Sequence, residues 1–247
     1  MGRTQNYIDS SQLAADRLNI TDNVLGQVID IGTDIKNLIA LRRNSAVGDD
    51  VAFQAQLQGK WQALASVMNT TSEGRYIFSG TRTDTPAVRT DAMPALQVDG
   101  VPDTGYYNGN SEDITVRVED NVNISYNVRA DDPAIQKIFA GIATAYKFGS
   151  SSAGENPDLQ KAYDMLQQGV DGVISTRATV NANIVNVGDN KDRLSSMQLY
   201  WKGLKETISN TDIVSVSTEV AVNQGILQAA YQAFAKISSL KLSDFLR

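Results

Sequence analysis

Ser79 and three adjacent carboxylate pairs are the residues of this 247-residue chain whose types and spacing could do chemistry. Ser79 lies in Tyr76-Ile77-Phe78-Ser79-Gly80-Thr81, and a serine hydroxyl attacks only when a neighbouring base takes its proton. The chain contains no His and no Cys. That excludes Ser–His and Cys–His pairs, thiolate and imidazole metal sites, and disulfides together. A Ser–Lys pair would be required, and the G-x-S-x-G frame of a nucleophile elbow is missing. The pairs Asp49/Asp50, Glu119/Asp120 and Asp131/Asp132 have the chemistry to hold calcium or to act on a glycosidic bond. Each sits beside a turn or a helix start, where Asp is favoured for capping and local hydrogen bonding. Asp99-Gly100 and Asp103-Thr104-Gly105 read as turns in the same way. No EF-hand loop, no G-x-G-x-x-G and no G-x-x-x-x-G-K-[ST] occurs. The expectation is a chain that is not an enzyme and needs no cofactor or metal. The rival is a hydrolase using Asp103, Glu112 and Asp113.

The elements that would carry such groups are mostly long helices. From Gln5 to Arg43 the apolar positions Leu18, Thr21, Leu25, Val28, Ile31, Ile35 and Leu38 step by three or four, the stripe of an amphipathic helix. A turn from Arg43 to Asp50 leads to a second helix, about Asp50 to Ser72, with Phe53, Leu57, Trp61, Leu64 and Met68 on one face. A short connection between two such helices predicts an antiparallel hairpin. From Glu73 to Asp132 the texture changes to Gly, Thr, Asp and Asn, with Pro86, Pro94 and Pro102 inside and Pro133 at its end. The runs Tyr76–Phe78, Ile114–Val118 and Val122–Val128 read as strands, the last two joined as a hairpin. A helix carrying Ile135, Ile138, Phe139, Ile142 and Tyr146 follows, then a Gly/Ser loop.

Past Pro157 the pattern is heptad. Leu159, Leu166, Val173, Val180, Val187, Leu194 and Trp201 recur every seven residues, a long packing seam. Tyr163, Val170 and Ile184 form a second row that Arg177, Lys191 and Gln198 interrupt. If the pattern were instead split among shorter helices, Gly169, Gly172 and Gly188 are where it would break. Trp61 and Trp201, each on an apolar stripe, are expected in the core. After Ser209-Asn210-Thr211-Asp212 a last helix repeats Ile213, Val220, Leu227 and Phe234. Short apolar helices are marginal without packing, so this one needs a partner. Net charge is −6 with the acidic residues dispersed, which favours neither nucleic acid nor an anionic membrane as a ligand. No apolar run is long enough to cross a bilayer, and the start lacks a secretory-type apolar stretch. A cytosolic protein, or one exported without a cleaved signal, is expected.

The order of these elements resembles the bacterial flagellin superfamily, and within it the hook–filament junction branch. Three stretches carry the resemblance. Gly74-Arg75-Tyr76-Ile77-Phe78-Ser79-Gly80, with Thr81 and Pro86 following, is similar to that branch's G-x-Y-[LIV]-F-S-G pattern. Tyr106-Tyr107-Asn108-Gly109-Asn110, before the Ile114–Val128 hairpin, is similar to its entry into the β-insertion. The ending from Tyr231 to Leu242 is similar to its closing helix and lacks the Ala-Asn-x-x-Pro stretch of filament flagellins. The front departs, since the family begins with a further helical segment that partners the closing helix.

The resemblance implies a mainly α fold with a β-rich insertion, an elongated bundle of long antiparallel helices built from N- and C-terminal parts of the chain. The expected divisions are 5–74 (helical hairpin), 75–133 (β-rich insertion), 134–210 (C-terminal rod helices) and 211–247 (assembly helix). It also implies a structural flagellar component outside the cell, exported without a cleaved signal peptide. The implied partners are the hook-side junction protein, flagellin, an export chaperone, and copies of itself in a ring. The residues expected at the assembly or chaperone interface are Leu227, Tyr231, Phe234, Ile237 and Leu240. A filament flagellin is the alternative within the superfamily.

Overall fold

The computed structural model describes residues 2–44, 50–91, 93–94, 103–120, 122–149, 156–210 and 213–239. Asp49, Asp99, Gly100, Pro102, Thr211, Asp212 and Leu240 lie outside the described residues. The protein is mainly α with a small β part, divided into two units, Met1–Leu194 and Ser195–Arg247.

In the first unit α1 (Gly2–Arg43) is one unbroken helix of 42 residues, roughly 60 Å at 1.5 Å per residue. Leu18, Thr21, Leu25, Val28 and Ile35 are buried as the stripe predicts, and Gly32 and Ile39 join them. Ile31 and Leu38 fall on the shoulder, because the helical period of 3.6 moves the centre of the face along by one residue. α2 (Asp50–Met68) buries Phe53, Leu57, Trp61, Leu64 and Met68. It stops before Ser72 because the Asn69 side chain turns to Val88, accepting its N–H and donating to its carbonyl, both at 2.8 Å. The Trp61 and Phe139 rings meet edge-on at 5.1 Å, and Tyr106 lies 4.4 Å from Phe139 on another side.

α3 (Pro133–Phe148) starts at the Asp132 cap, whose carboxylate accepts the Ala134 N–H at 2.8 Å. α4 (Pro157–Asn210) is capped by Asn156, which accepts the Asp158 N–H at 2.9 Å. Across the part of α4 in this unit, Leu159, Leu166, Val173, Val180, Val187 and Leu194 are all buried. It runs antiparallel to α1, with Lys36 against Gln167, Arg177 against Asp22 and Lys191 against Gln12. Two of the three residues that interrupt the apolar row therefore bind across the helix pair. Arg177 grips Asp22 at 2.7 and 3.0 Å and lies over Gly26, where an added Cβ would be 3.6 Å from its guanidinium. Gly169, Gly172 and Gly188 do not break α4. A Cβ on Gly169 would run into Ile138 and the Ala134 backbone, and one on Gly172 into Ala134. Those two glycines let α3 press close instead.

The insertion holds little regular strand. β1 (Thr71–Ser72) pairs with β2 (Arg75–Tyr76), and β3 (Thr115–Glu119) with β4 (Val122–Ser125), both antiparallel. The expected strand Tyr76–Phe78 ends early because Phe78 drops into the core and gives its carbonyl to Ala130 N–H at 3.0 Å. β4 ends before Val128 because the Asn127 side chain, at 2.8 Å, takes the Ile114 N–H.

In the second unit, which holds the end of α4 from Ser195 and α5 (Ile213–Ser239), the expectation for Trp201 fails. Its heptad position continues the seam, yet it is 52% exposed, stacked edge-on with Tyr200 at 5.5 Å. The repeat defines a face; it does not by itself bring an element to cover that face.

Candidate assembly interface

The two motifs of the insertion lock onto one another. Gly80, at φ +66°, has its open side against the Asn110 carbonyl and amide, where any Cβ would collide. Only glycine suits both demands. Asn110 then accepts the Thr81 N–H at 2.8 Å, donates to Thr81 Oγ1 at 2.6 Å, and gives its own backbone N–H to the Ser79 carbonyl at 3.1 Å. Tyr107 Oη donates to the Asn110 carbonyl at 2.7 Å, and Tyr106 Oη to the Ala130 carbonyl at 3.0 Å. Burial pushes both phenols well above their ordinary pKa, so they remain protonated donors. Ser79 is fully buried and donates to the Thr85 carbonyl at 2.6 Å. Its hydroxyl closes a turn.

The carboxylates also have structural partners. Asp113 and Asp131 bracket Arg129, Asp103 caps the 3-10 turn at Gly105, and Glu112 accepts from Thr81. Glu119 meets Arg193, Asp120 accepts from Tyr7 at 2.9 Å and pairs with Arg117, and Asp50 pairs with Arg42. Among the described residues no group of three or more His, Cys, Asp or Glu side chains is placed to hold a metal ion. Nor is any described helix long and apolar enough to cross a membrane.

The exposed chemistry is apolar and lies on α5. Leu227, Tyr231, Phe234 and Ile237 are 56%, 68%, 71% and 68% exposed, at steps of four, three and three along one side of the helix. Val216 and Val220 extend the row, also exposed. Glu219 and Lys236 are the only charged residues of α5, so the helix offers an almost uncharged face. A second row went unnoticed in the sequence. Met197, Trp201, Leu204 and Ile208 are all exposed on the last turns of α4, and their steps of four, three and four were the available signal.

No family model matches the chain. It is 23% identical over 267 aligned positions to flagellar hook-associated protein 3 of Escherichia coli K12, covering 96% of this chain and 79% of that protein. The chain resembles the flagellin-like hook–filament junction proteins. A flagellar hook-associated protein of Vibrio parahaemolyticus has the same fold, with a TM-score of 0.66 at 18% identity, over 81% of this chain and 89% of that one. FlgL of Bacillus cereus matches with a TM-score of 0.59 at 20% identity, over 81% and 92%. Flagellar hook associated protein-3 of Legionella pneumophila gives 0.66 at 10% identity, over 85% and 97%. Sequence likeness along nearly the whole chain, together with the shared fold, supports a structural role at the hook–filament junction.

Proposed function

We propose that this chain is a non-enzymatic part of the flagellar axis, exported without a cleaved signal peptide and working outside the cell, where it joins hook to filament. In this reading residues 5–74 and 134–210 are the rod, 75–133 is a decoration on it, and 211–247 is the assembly segment. The observation that carries the reading is the uncharged row Leu227, Tyr231, Phe234 and Ile237 on α5, exposed along its length. Amphipathic helices of this kind lay their apolar side into a groove or against another helix, with anchors at steps of three and four. An export chaperone would cover the row before assembly. The hook-side junction protein, flagellin and further copies of the chain would surround it in a ring afterwards. Leu240, three residues after Ile237 in the sequence, belongs to the same proposed interface.

Removing everything after Asn210 tests this. Titration calorimetry with the flagellar export chaperone is expected to show binding to the full chain and none to the shortened one. Unchanged binding would remove the last helix from the interface.

A further inference from the structure

The end of α4 and the first half of α5 carry open rows with the same rhythm. Within the second unit, Met197, Trp201, Leu204 and Ile208 are exposed on α4, and Val216, Val220, Asn223 and Leu227 are exposed on α5. Both rows advance by four, three and four residues, the alternation that keeps one helix face against a partner helix. Trp201 and Ile208 also continue, seven by seven, the α4 row from Leu159 to Leu194 that is buried in the first unit. The open α4 row is thus the run-on of an established helix-pairing seam.

Rows with equal steps can be laid together in either direction, and one polar residue decides between the two. Antiparallel pairing sets Ile208 opposite Val216, Leu204 opposite Val220, Trp201 opposite Asn223 and Met197 opposite Leu227. The Trp201 indole N–H, a donor only, then meets the Asn223 side-chain carbonyl, the kind of partner a buried Trp needs. Parallel pairing would set Asn223 against Leu204 and bury its amide with nothing to bond. A lone Asn in an apolar row fixes register in this way. No charge falls in any layer, since Lys202, Lys205, Glu206 and Glu219 lie outside both rows.

Four layers make about two heptads, fewer than the roughly three or four of a sustained seam. The chain's own α5 could supply only those four, and it leaves the α4 row open. A second copy supplies them twice, because its α5 covers the first copy's α4 row while its α4 row receives the first copy's α5. Such a reciprocal contact is two-fold and closed.

We propose that two copies of this chain pair in solution through an antiparallel seam in which Trp201 of each copy bonds Asn223 of the other. The seam takes in Val216 to Leu227 and leaves Phe234 and Ile237 open. It is a property of the free chain and does not depend on the flagellar reading.

Light scattering on the full chain is expected to give twice the chain mass at high concentration and the single mass on dilution. Val220→Lys should weaken pairing about tenfold or more, and Trp201→Phe, which keeps a ring but loses the N–H, should weaken it too. Thiols placed in this cysteine-free chain then read partner and direction. Leu204→Cys mixed with Val220→Cys should give a disulfide-linked heterodimer under mild oxidation, and Leu204→Cys mixed with Asn223→Cys should not. Preferred linkage of the second pair would overturn the proposal. So would a chain carrying both Leu204→Cys and Val220→Cys that closes on itself as a covalent monomer, since its own α5 would then be the occupant. A single-chain mass at every concentration up to the millimolar range would overturn it as well. Chaperone binding is read in a separate titration, so the two readings fail independently.

Discussion

Trp61 and Trp201 sit on the same kind of helical stripe and have opposite fates. Trp61 is 2% exposed in the first unit, while Trp201 is 52% exposed in the second. The contrast extends to their surroundings. Six heptad positions of α4 from Leu159 to Leu194 are buried, whereas Leu227 and Phe234, which repeat by seven on α5, lie open. Residue type and period are alike in the two regions. The first unit buries these apolar faces within itself, whereas in the second they lie open, as the proposed assembly role would require.

Truncating one leucine in each region is the strongest way to break that comparison. Leu166→Ala, at a fully buried site, is expected to lower unfolding free energy by about 2–5 kcal/mol. Leu227→Ala should change it by less than about 0.5 kcal/mol. Urea unfolding followed by Trp61 emission in a Trp201→Phe background reads both. Equal losses would mean that α5 is as firmly packed as the rod.

Glycines sharpen the comparison at the next level. Gly169→Ala puts a methyl group into Ile138 and the Ala134 backbone, and is expected to cost about 1–3 kcal/mol. Gly188→Ala meets nothing within 4 Å and should stabilise α4 by roughly 0.5–1 kcal/mol. Thermal unfolding by circular dichroism should therefore move in opposite directions for the two variants. A shift of the same sign would show that helix propensity, and not the α3–α4 contact, governs both sites.

The smallest expected effect concerns Asp22 and Arg177. The hydrogen bond from Arg177 holds the Asp22 carboxyl below the ordinary range. A depressed carboxylate adds stability above its unfolded pKa of about 3.9, and that stability is lost as pH falls through the lower folded value. Asp22→Asn should cost at most about 1 kcal/mol at neutral pH, since Arg177 is more than a third exposed and water screens the pair. The difference between wild type and variant should shrink below pH 4 in denaturation curves. A constant difference down to pH 2 would assign the effect to packing.

Much of this molecule was legible because helices repeat. The stripe of α1, the face of α2 and the α4 seam as far as Leu194 could be read from steps of three, four and seven. What period could not reveal was set by single side chains acting at a distance in sequence. Asn69 ends α2 by bonding Val88, and Asn127 ends β4 by bonding Ile114. Arg177 looked like a flaw in the seam until Asp22 stood opposite it. The Gly74–Gly80 motif was visible as a pattern, but its task of closing on Asn110 needed the fold. Exposure of Trp201 was out of reach for the same reason, since covering a face depends on what lies beside it.

Because the chain has no cysteine, one introduced thiol reports its own surroundings. Phe234→Cys on α5 and Val185→Cys on α4, both at exposed positions, should react with a maleimide at similar rates in the free protein. In intact flagella the account predicts that the thiol at 234 becomes protected and reacts at least tenfold more slowly than in the free protein. Undiminished labelling at 234 in flagella that contain the protein would contradict the claim that the open face of α5 is the assembly surface.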